Sequence, residues 1–502
     1  MERRRFLTVA GLAGLAAGCT DESPASVPSP TVEATGGAVT PTGPADWEAL
    51  GRGLAGRLVR PGDDAYDEAR KLYIPRFDRV RPAGVAYCAG PEDVSECVAF
   101  ARRQRLSVAV RCGGHNYAGW STGGGLVIDV SPMNAVQAGG GRATVGAGAR
   151  LIDVYKGLTD RGVAVPAGTC PTVGIAGLAL GGGIGVVSRR HGLTCDVLEA
   201  VRVVTADGRV RDCDARRDAD LYWACRGGGG GNFGVAVQFV FRTHPAAEVT
   251  LFSLRWPWPR AAQVVGGWQS WAPYAPDELW SGLQINTDPS AGTPTVDVTG
   301  AAFGDPDAHL DRLTAAVGAD PAFRSVDTHS YLEAMRRVGG CADGGIAACH
   351  RAGTLPGGRP DGRYPRTEYT AKSHVATRPL TGSAIEALTG RFTGGNGVAG
   401  RSVLLDALGG AVGRVRPGDT AFPHRNALFT VQYLAGTGDR GWLRDVHGAM
   451  ERHLGGAAYV NYVDPELRGW QRAYYGGNYE RLVRVKNAYD PDGLFTFPQS
   501  IG

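Results

Sequence analysis

The chain has 502 residues, with 53 lysines and arginines against 49 aspartates and glutamates. That length allows two or three domains or one large catalytic unit and argues against a small binding module; the near balance of charge disfavours a nucleic-acid partner. Hydrophobic residues at 43% and charged residues at 20% support a folded core. The 76 glycines, roughly twice the usual share, point to backbone that repeatedly needs positive φ or close approach to a ligand.

In chain order, three arginines at Arg3, Arg4 and Arg5 precede an apolar run from Leu7 to Ala17, so residues 1–19 read as an export signal. The run is too short for a permanent span, which needs roughly 17 residues or more. Arg3-Arg4-x-Phe6-Leu7 resembles the twin-arginine signature, whose pathway exports folded proteins, often with a cofactor in place. The expected location is therefore extracellular or in the cell envelope. Cys19 is a candidate lipidation site that would attach the chain to a membrane, although Ala16 stands where leucine is usual. Residues 20–45 hold Pro24, Pro28, Pro30, Pro41 and Pro44 among Ser, Thr and Gly, the composition of a flexible linker.

Beyond the linker, Pro91 opens a helix with Val94, Cys97, Val98 and Ala101 at helical spacing. Short β-prone runs follow at Ser107 to Arg111, Leu126 to Val130 and Arg142 to Gly146, with a helix marked by Leu151, Val154, Tyr155 and Leu158. Val201 to Val210 reads as a hairpin turning at Asp207-Gly208. Past about Pro245 the glycine loops thin out and Trp256, Trp258, Trp268, Trp271 and Trp280 appear, marking a second domain. Those rings can stack on a sugar or aromatic substrate, but core packing is the commoner use.

Nine cysteines lie outside the leader; in an oxidising compartment an odd count suggests that one has a task other than pairing. Cys341 and Cys349 flank a glycine-containing loop and are candidates for a local disulfide. With no CxxC pair and no Cys/His spacing of the zinc type, no metal is expected. The pattern GxGxxG occurs at Gly51 to Gly56 and at Gly229 to Gly234, in neither case between a strand and a helix, so neither is a dinucleotide fingerprint. Three other loops are more telling: Arg111-Cys-Gly-Gly-His-Asn-Tyr-Ala-Gly119, the glycine-dense run from Pro171 to Gly185, and His191-Gly-Leu-Thr-Cys-Asp196. Backbone this bare presents N–H groups that a phosphate or a flat ring can approach closely.

With these loops, the segment from Pro82 to His244 resembles the FAD-binding domain of the vanillyl alcohol oxidase and p-cresol methylhydroxylase superfamily. Gly409-Gly-Ala, Thr420-Ala-Phe-Pro-His-Arg425, Tyr459-Val-Asn-Tyr-Val-Asp464, Tyr475-Gly-Gly-Asn-Tyr479 and Phe497-Pro-Gln-Ser500 extend the likeness. From about residue 50 to 502 the chain is similar to the berberine bridge enzyme-like oxidoreductases, a group that includes glucooligosaccharide oxidase. The resemblance implies an α+β fold: a two-part FAD-binding domain of the p-cresol methylhydroxylase type, from residues 46–249 and 455–502, and a substrate domain at 250–454 with an antiparallel sheet covered by helices.

It also implies FAD bound bicovalently, through His115 to the 8α carbon and Cys195 to C6. Arg111, Gly113, Gly114, Asn116, Gly174, Gly181, Gly182, Gly183, Gly185 and Asn478 become expected cofactor contacts. Tyr462 becomes the candidate base for an alcohol or hemiacetal carbon that gives hydride to flavin N5, with O2 or another acceptor taking the electrons. A tyrosine with a reference pKa of about 10 needs a nearby cation or donor for that task. Leu198 falls where family members place side chains near the flavin face that oxygen approaches. The substrate is expected to be a small molecule, a sugar or secondary metabolite; oxidative cyclisation on the same scaffold and flavin retention without turnover are the alternative readings.

Overall fold

The computed structural model describes residues 45–287, 293–392 and 400–502; the leader, Cys19 and nearly all of the linker lie outside them. The helix Pro91–Gln104 starts on its proline and buries Val94, Cys97, Val98 and Ala101. The expected hairpin joins Leu198–Val204 to Val210–Asp214, with Gly208 at φ +78° in its turn.

The cofactor half is built on two sheets. In the first, the strands run Arg57–Val59, Gly84–Tyr87, Leu126–Asp129, Val108–Arg111, the last three mutually parallel. In the second, five antiparallel strands run in the order Val136–Gly139, Arg142–Gly146, Val235–Arg242, Leu198–Val204, Val210–Asp214. A third sheet of seven antiparallel strands has the order Phe323–His329, Val249–Trp256, Thr295–Ala302, Leu279–Asn286, Ser402–Ala407, Phe429–Ala435, Thr370–Ala376. The fold is α+β.

Alternation along these strands decides what each face of the third sheet does. Leu283, Ile285, Val298, Val403, Leu405 and Val431 point to one side, where they form a core with the helices Ala261–Trp271, Asp307–Val317, Gly382–Thr389 and Arg440–Leu454. Gln284, Asp297, Ser402 and Gln432 point the other way, into a cavity. The tryptophans go to packing: Trp256, Trp268 and Trp271 sit in the helix-side core and Trp280 in the other main core. Trp256 Nε1 donates to the Ala319 carbonyl at 2.8 Å and Trp268 Nε1 to Ser281 Oγ at 3.0 Å.

Two excursions cross between the halves. The stretch after the helix Tyr331–Val338 carries the Cys341–Cys349 disulfide and returns to the cofactor half. There Arg366 donates to Asp78 and to the Leu72 carbonyl, and Glu68 accepts from the backbone N–H groups of Thr354 and Leu355. The C-terminal segment does the same: Lys486 Nζ donates to the Asn232 carbonyl at 2.8 Å and Ile501 N to Asn232 Oδ1 at 3.0 Å. Among the described residues no helix is long and apolar enough to cross a membrane, and no group of side chains has the make-up of a metal site.

Candidate active site

One cavity of about 1530 Å³ runs from the glycine loops of the cofactor half to the polar face of the seven-stranded sheet. Single-ligand pockets span about 300–1,000 Å³, so this volume suits two occupants side by side. At the loop end lie Gly113, Gly114, His115, Asn116 and Gly174. The loop turns through Gly114 at φ +71°, which brings the His115 ring parallel to Tyr73 with centroids 3.9 Å apart. His115 Nε2 is 2.9 Å from Thr172 Oγ1. Burial, then Arg351 and Arg150, hold the His115 pKa well below its usual value, so the imidazole is neutral and keeps a lone pair for bonding carbon.

Bare backbone is a requirement here. A Cβ on Gly113 would lie 2.4 Å from the Gly174 nitrogen, and one on Gly174 would lie 2.0 Å from Cys112 Sγ. The two loops therefore meet backbone to backbone. Gly229, Gly230 and Gly231, which fail as a dinucleotide fingerprint, nevertheless line the same cavity. A glycine-lined trough, a neutral imidazole and the room for two molecules fit FAD, with His115, Asn116 and the glycine loops as the residues that would hold it.

Several expected contacts are placed elsewhere. Arg111 is turned away into a buried ion pair with Asp129, its Nε 2.5 Å from Oδ2. Gly181, Gly182, Gly183 and Gly185 do not line the cavity. They let the loop press against its neighbours: a Cβ would meet Asn461 at 2.0 Å from Gly181, Tyr459 at 3.3 Å from Gly182, Thr194 at 2.2 Å from Gly183 and the Ala167 carbonyl at 1.8 Å from Gly185. Asn478 donates to the carbonyls of Pro417, Thr420 and Ala421 and serves as a clamp between segments. Leu198 is buried in a strand of the cofactor-half core.

Cys195 is buried in a cluster with Leu193, Val375 and Leu408 that also holds Ile184, Tyr459, Val460 and Tyr462, four residues of the cavity lining. Its N–H donates to the Gly182 carbonyl at 2.9 Å, and its Sγ faces Asp196 Oδ1 at 3.6 Å. Burial and the Asp196 charge push the thiol pKa far up, against the opposing pull of Arg425 and Arg226. Cys195 is one of seven free cysteines that accompany the single disulfide.

At the other end, Tyr462 lines the cavity, parallel to Tyr117 with centroids 5.8 Å apart and edge-on to Tyr459 at 5.0 Å. Gln432 Nε2 donates to Tyr117 OH at 2.8 Å. Tyr462 does not gain the cation it would need to act alone: burial, then Asp406, Tyr117 and Tyr459, raise its pKa well above the usual value. Asp406, half-buried and outside the cavity lining, is the carboxyl that acts on Tyr462. Its carboxyl interacts with both Tyr462 and Tyr117, and burial lifts its pKa to about 6. Sequence reasoning missed Asp406, Gln432 and Tyr117. The available signal was an ionisable residue inside the apolar run Val403-Leu-Leu-Asp-Ala407 and an amide inside Thr430-Val-Gln-Tyr433.

Residues 82–214 match the family described as FAD binding domain, and residues 458–502 the family described as berberine and berberine like. The chain is 33% identical over 469 residues to the uncharacterized FAD-linked oxidoreductase YgaK of Bacillus subtilis, covering 89% of this chain and 97% of that protein. It is 30% identical over 468 residues to the chitooligosaccharide oxidase of Gibberella zeae, covering 88% and 91%. Among solved structures, Physcomitrella patens BBE-like 1 superposes with a TM-score of 0.81 at 29% identity, covering 91% of this chain and 98% of that one.

Proposed function

The chain belongs to the berberine bridge enzyme-like FAD-linked oxidoreductases, and on that premise we propose that it oxidises an alcohol or hemiacetal carbon of a polar small molecule, with a carbohydrate as the first candidate. The observation that carries this reading is the meeting of His115 and Tyr462 in one cavity whose far side is the polar face of a sheet, with the Asp406 carboxyl acting electrostatically on Tyr462. Hydroxyl-rich substrates need such a surface, because each buried hydroxyl must find a partner. The likeness to a chitooligosaccharide oxidase supports the same class.

Bound FAD would supply the hydride acceptor and pass the electrons to O2 or another acceptor. The protein supplies the rest. Tyr117, oriented by Gln432, and Tyr462 flank the reacting hydroxyl. The hydroxyl proton moves to Asp406 through Tyr462, whose own high pKa makes it a conduit and a hydrogen-bond donor, not a resting base. The cofactor would be held covalently by His115, whose Nε2 is engaged by Thr172 and whose Nδ1 is left for carbon, with Cys195 as the candidate for the second bond. The arginine-rich leader supports delivery outside the cytoplasm, with Cys19 as a candidate anchor.

The test is anaerobic mixing of the purified holoenzyme with a panel of oligosaccharides, sugars and aromatic alcohols, followed by flavin absorbance. Rapid bleaching by one class, restored by air or an artificial acceptor, supports the reading. A flavin that no member of the panel reduces would overturn it.

A further inference from the structure

One row of side chains on the cavity face of the seven-stranded sheet runs from the reacting end to the sheet's edge. Gln432, which donates to Tyr117 OH, is opposite Leu404; Leu404 is opposite Gln284, Gln284 opposite Asp297, Asp297 opposite Arg255 and Arg255 opposite Phe323. Each of them lines the cavity. Neighbouring strands lie about 4.7–4.9 Å apart, so Arg255, four strands along from Gln432, stands roughly 19 Å from it. No single sugar ring reaches from one end of this floor to the other.

The far end of the floor has its own chemistry. Among the described residues that line the cavity, Arg255 and Asp297 are the only arginine, lysine, aspartate or glutamate. Arg255 Nε donates to Asp297 Oδ1 at 2.5 Å, with the guanidinium side chain 47% exposed and the aspartate 10%. That bond fixes the guanidinium and leaves Nη1, Nη2 and Asp297 Oδ2 without a partner among the described residues. Such a pair can donate to one hydroxyl of a sugar and accept from the next, through charge-assisted bonds about twice as strong as neutral ones. Its charges cancel, which favours a neutral polyhydroxyl group over an ion. Beside it on the edge strand, Phe323 leaves a large apolar ring 42% exposed, a surface on which the apolar face of a sugar ring can lie. Between the two ends, Asn286 and Ser402, opposite each other in the next row, add polar groups to the lining.

We propose that Arg255, Asp297 and Phe323 form a distal subsite that grips the far ring of a neutral oligosaccharide while the ring to be oxidised lies beside Tyr462, so that the enzyme selects its substrate by chain length. The proposal deepens the carbohydrate reading of the cavity and rests on it. The sugar chain lies across the strands, along the row, with Gln284 beneath its middle and Phe323 under its last ring at the rim. The subsite makes the same contacts before and during oxidation, being remote from the reacting carbon. It therefore lowers KM for a substrate long enough to reach it and adds nothing to the chemical step. A substrate of one ring gains none of this binding.

The test is kcat/KM of the holoenzyme on the cellooligosaccharides from glucose to cellotetraose and on the matching series from N-acetylglucosamine. In wild type the tetramer should exceed the monomer by about tenfold or more in at least one series, through a lower KM. Arg255→Ala and Phe323→Ala change partly open positions and should fold, and each should cut that preference by about tenfold; Asp297→Asn should cut it in the same direction. A variant that slows monomer and tetramer alike, with their ratio unchanged in both Arg255→Ala and Phe323→Ala, would overturn the subsite. Equal kcat/KM for monomer and tetramer in wild type would overturn it too, while leaving the carbohydrate reading in place. A flavin that none of these sugars reduces would instead remove the carbohydrate reading, and the subsite with it.

Discussion

Asp196 and Arg425, 229 positions apart in the chain, are joined by two parallel hydrogen bonds, Nη1 to Oδ2 at 2.8 Å and Nη2 to Oδ1 at 2.7 Å. Both side chains are almost wholly buried, at 6% and 2% exposure. The pair pins the loop that carries Cys195 to the segment that follows the strand Ser402–Ala407. Removing one partner of a buried pair strands the other charge, a loss of about 3–5 kcal/mol. Arg425→Ala should therefore lower unfolding stability by that amount in denaturant titration of the holoenzyme. A loss below about 1 kcal/mol would mean the pair behaves as a solvated one.

His115 and Cys195 should each be able to hold the flavin. After acid precipitation, colour should stay in the pellet for wild type and for either His115→Ala or Cys195→Ala, and pass to the supernatant only in the double variant. Loss of colour from the His115→Ala pellet would remove the second bond at Cys195.

Asp406 gives the pH dependence. Its carboxyl titrates at about 6 and must be ionised to accept a proton, so kcat/KM should rise with pH through about 6. Asp406→Asn should lower kcat/KM by about 10²–10⁴ without changing flavin content. The sign for stability is opposite. A carboxyl whose folded pKa lies above its unfolded value contributes stability that is full below the unfolded value of 3.8 and is lost as pH rises through about 6. Asp406→Asn should hence be more stable than wild type at pH 8 by up to about 3 kcal/mol and gain little at pH 4, as read by unfolding at both pH values.

The glycine trough separates folding from cofactor loading. Gly174→Ala must move backbone, since its Cβ would lie 2.0 Å from Cys112 Sγ and 2.5 Å from the Gly113 nitrogen; a loss above about 2 kcal/mol is expected. Gly177 also lines the cavity, but its added Cβ meets nothing within 4 Å. Gly177→Ala should keep the melting temperature of the flavin-free protein and lower its flavin content. Normal flavin content in Gly177→Ala would show that the cofactor does not reach this part of the trough.

Much of this was legible before the structure. The helix from Pro91, the strand Leu126–Asp129 and the hairpin at Asp207-Gly208 announce themselves through local rules: a proline at the first turn, a short apolar run, a turn dipeptide. His115 was legible because its loop concentrates glycine around one nucleophile. The sequence does not show what surrounds Cys195: Val375, Leu408, Tyr459 and Tyr462 reach its thiol from segments some 180 to 270 residues away. Asp406 was invisible for the same reason: its meaning comes from Tyr462 and Tyr117, brought beside it by chain ends more than 50 and nearly 290 residues away. The return of the segment after Tyr331–Val338 to the cofactor half was hidden likewise, since its contacts with Asp78 and Glu68 are all long-range.

The C-terminal segment puts a schedule on biogenesis. Phe497 and Gln499 line the cavity, and the N–H of Ile501 donates to the Asn232 side chain, which itself donates to the Gly228 carbonyl. While a ribosome still covers these residues, the trough lacks part of its wall, however completely the first two hundred residues have folded. Cofactor capture therefore waits until Phe497 and Gln499 have reached the cavity wall. A cell starved of flavin during synthesis should accumulate full-length, folded, colourless chains that can be charged later, not stalled fragments.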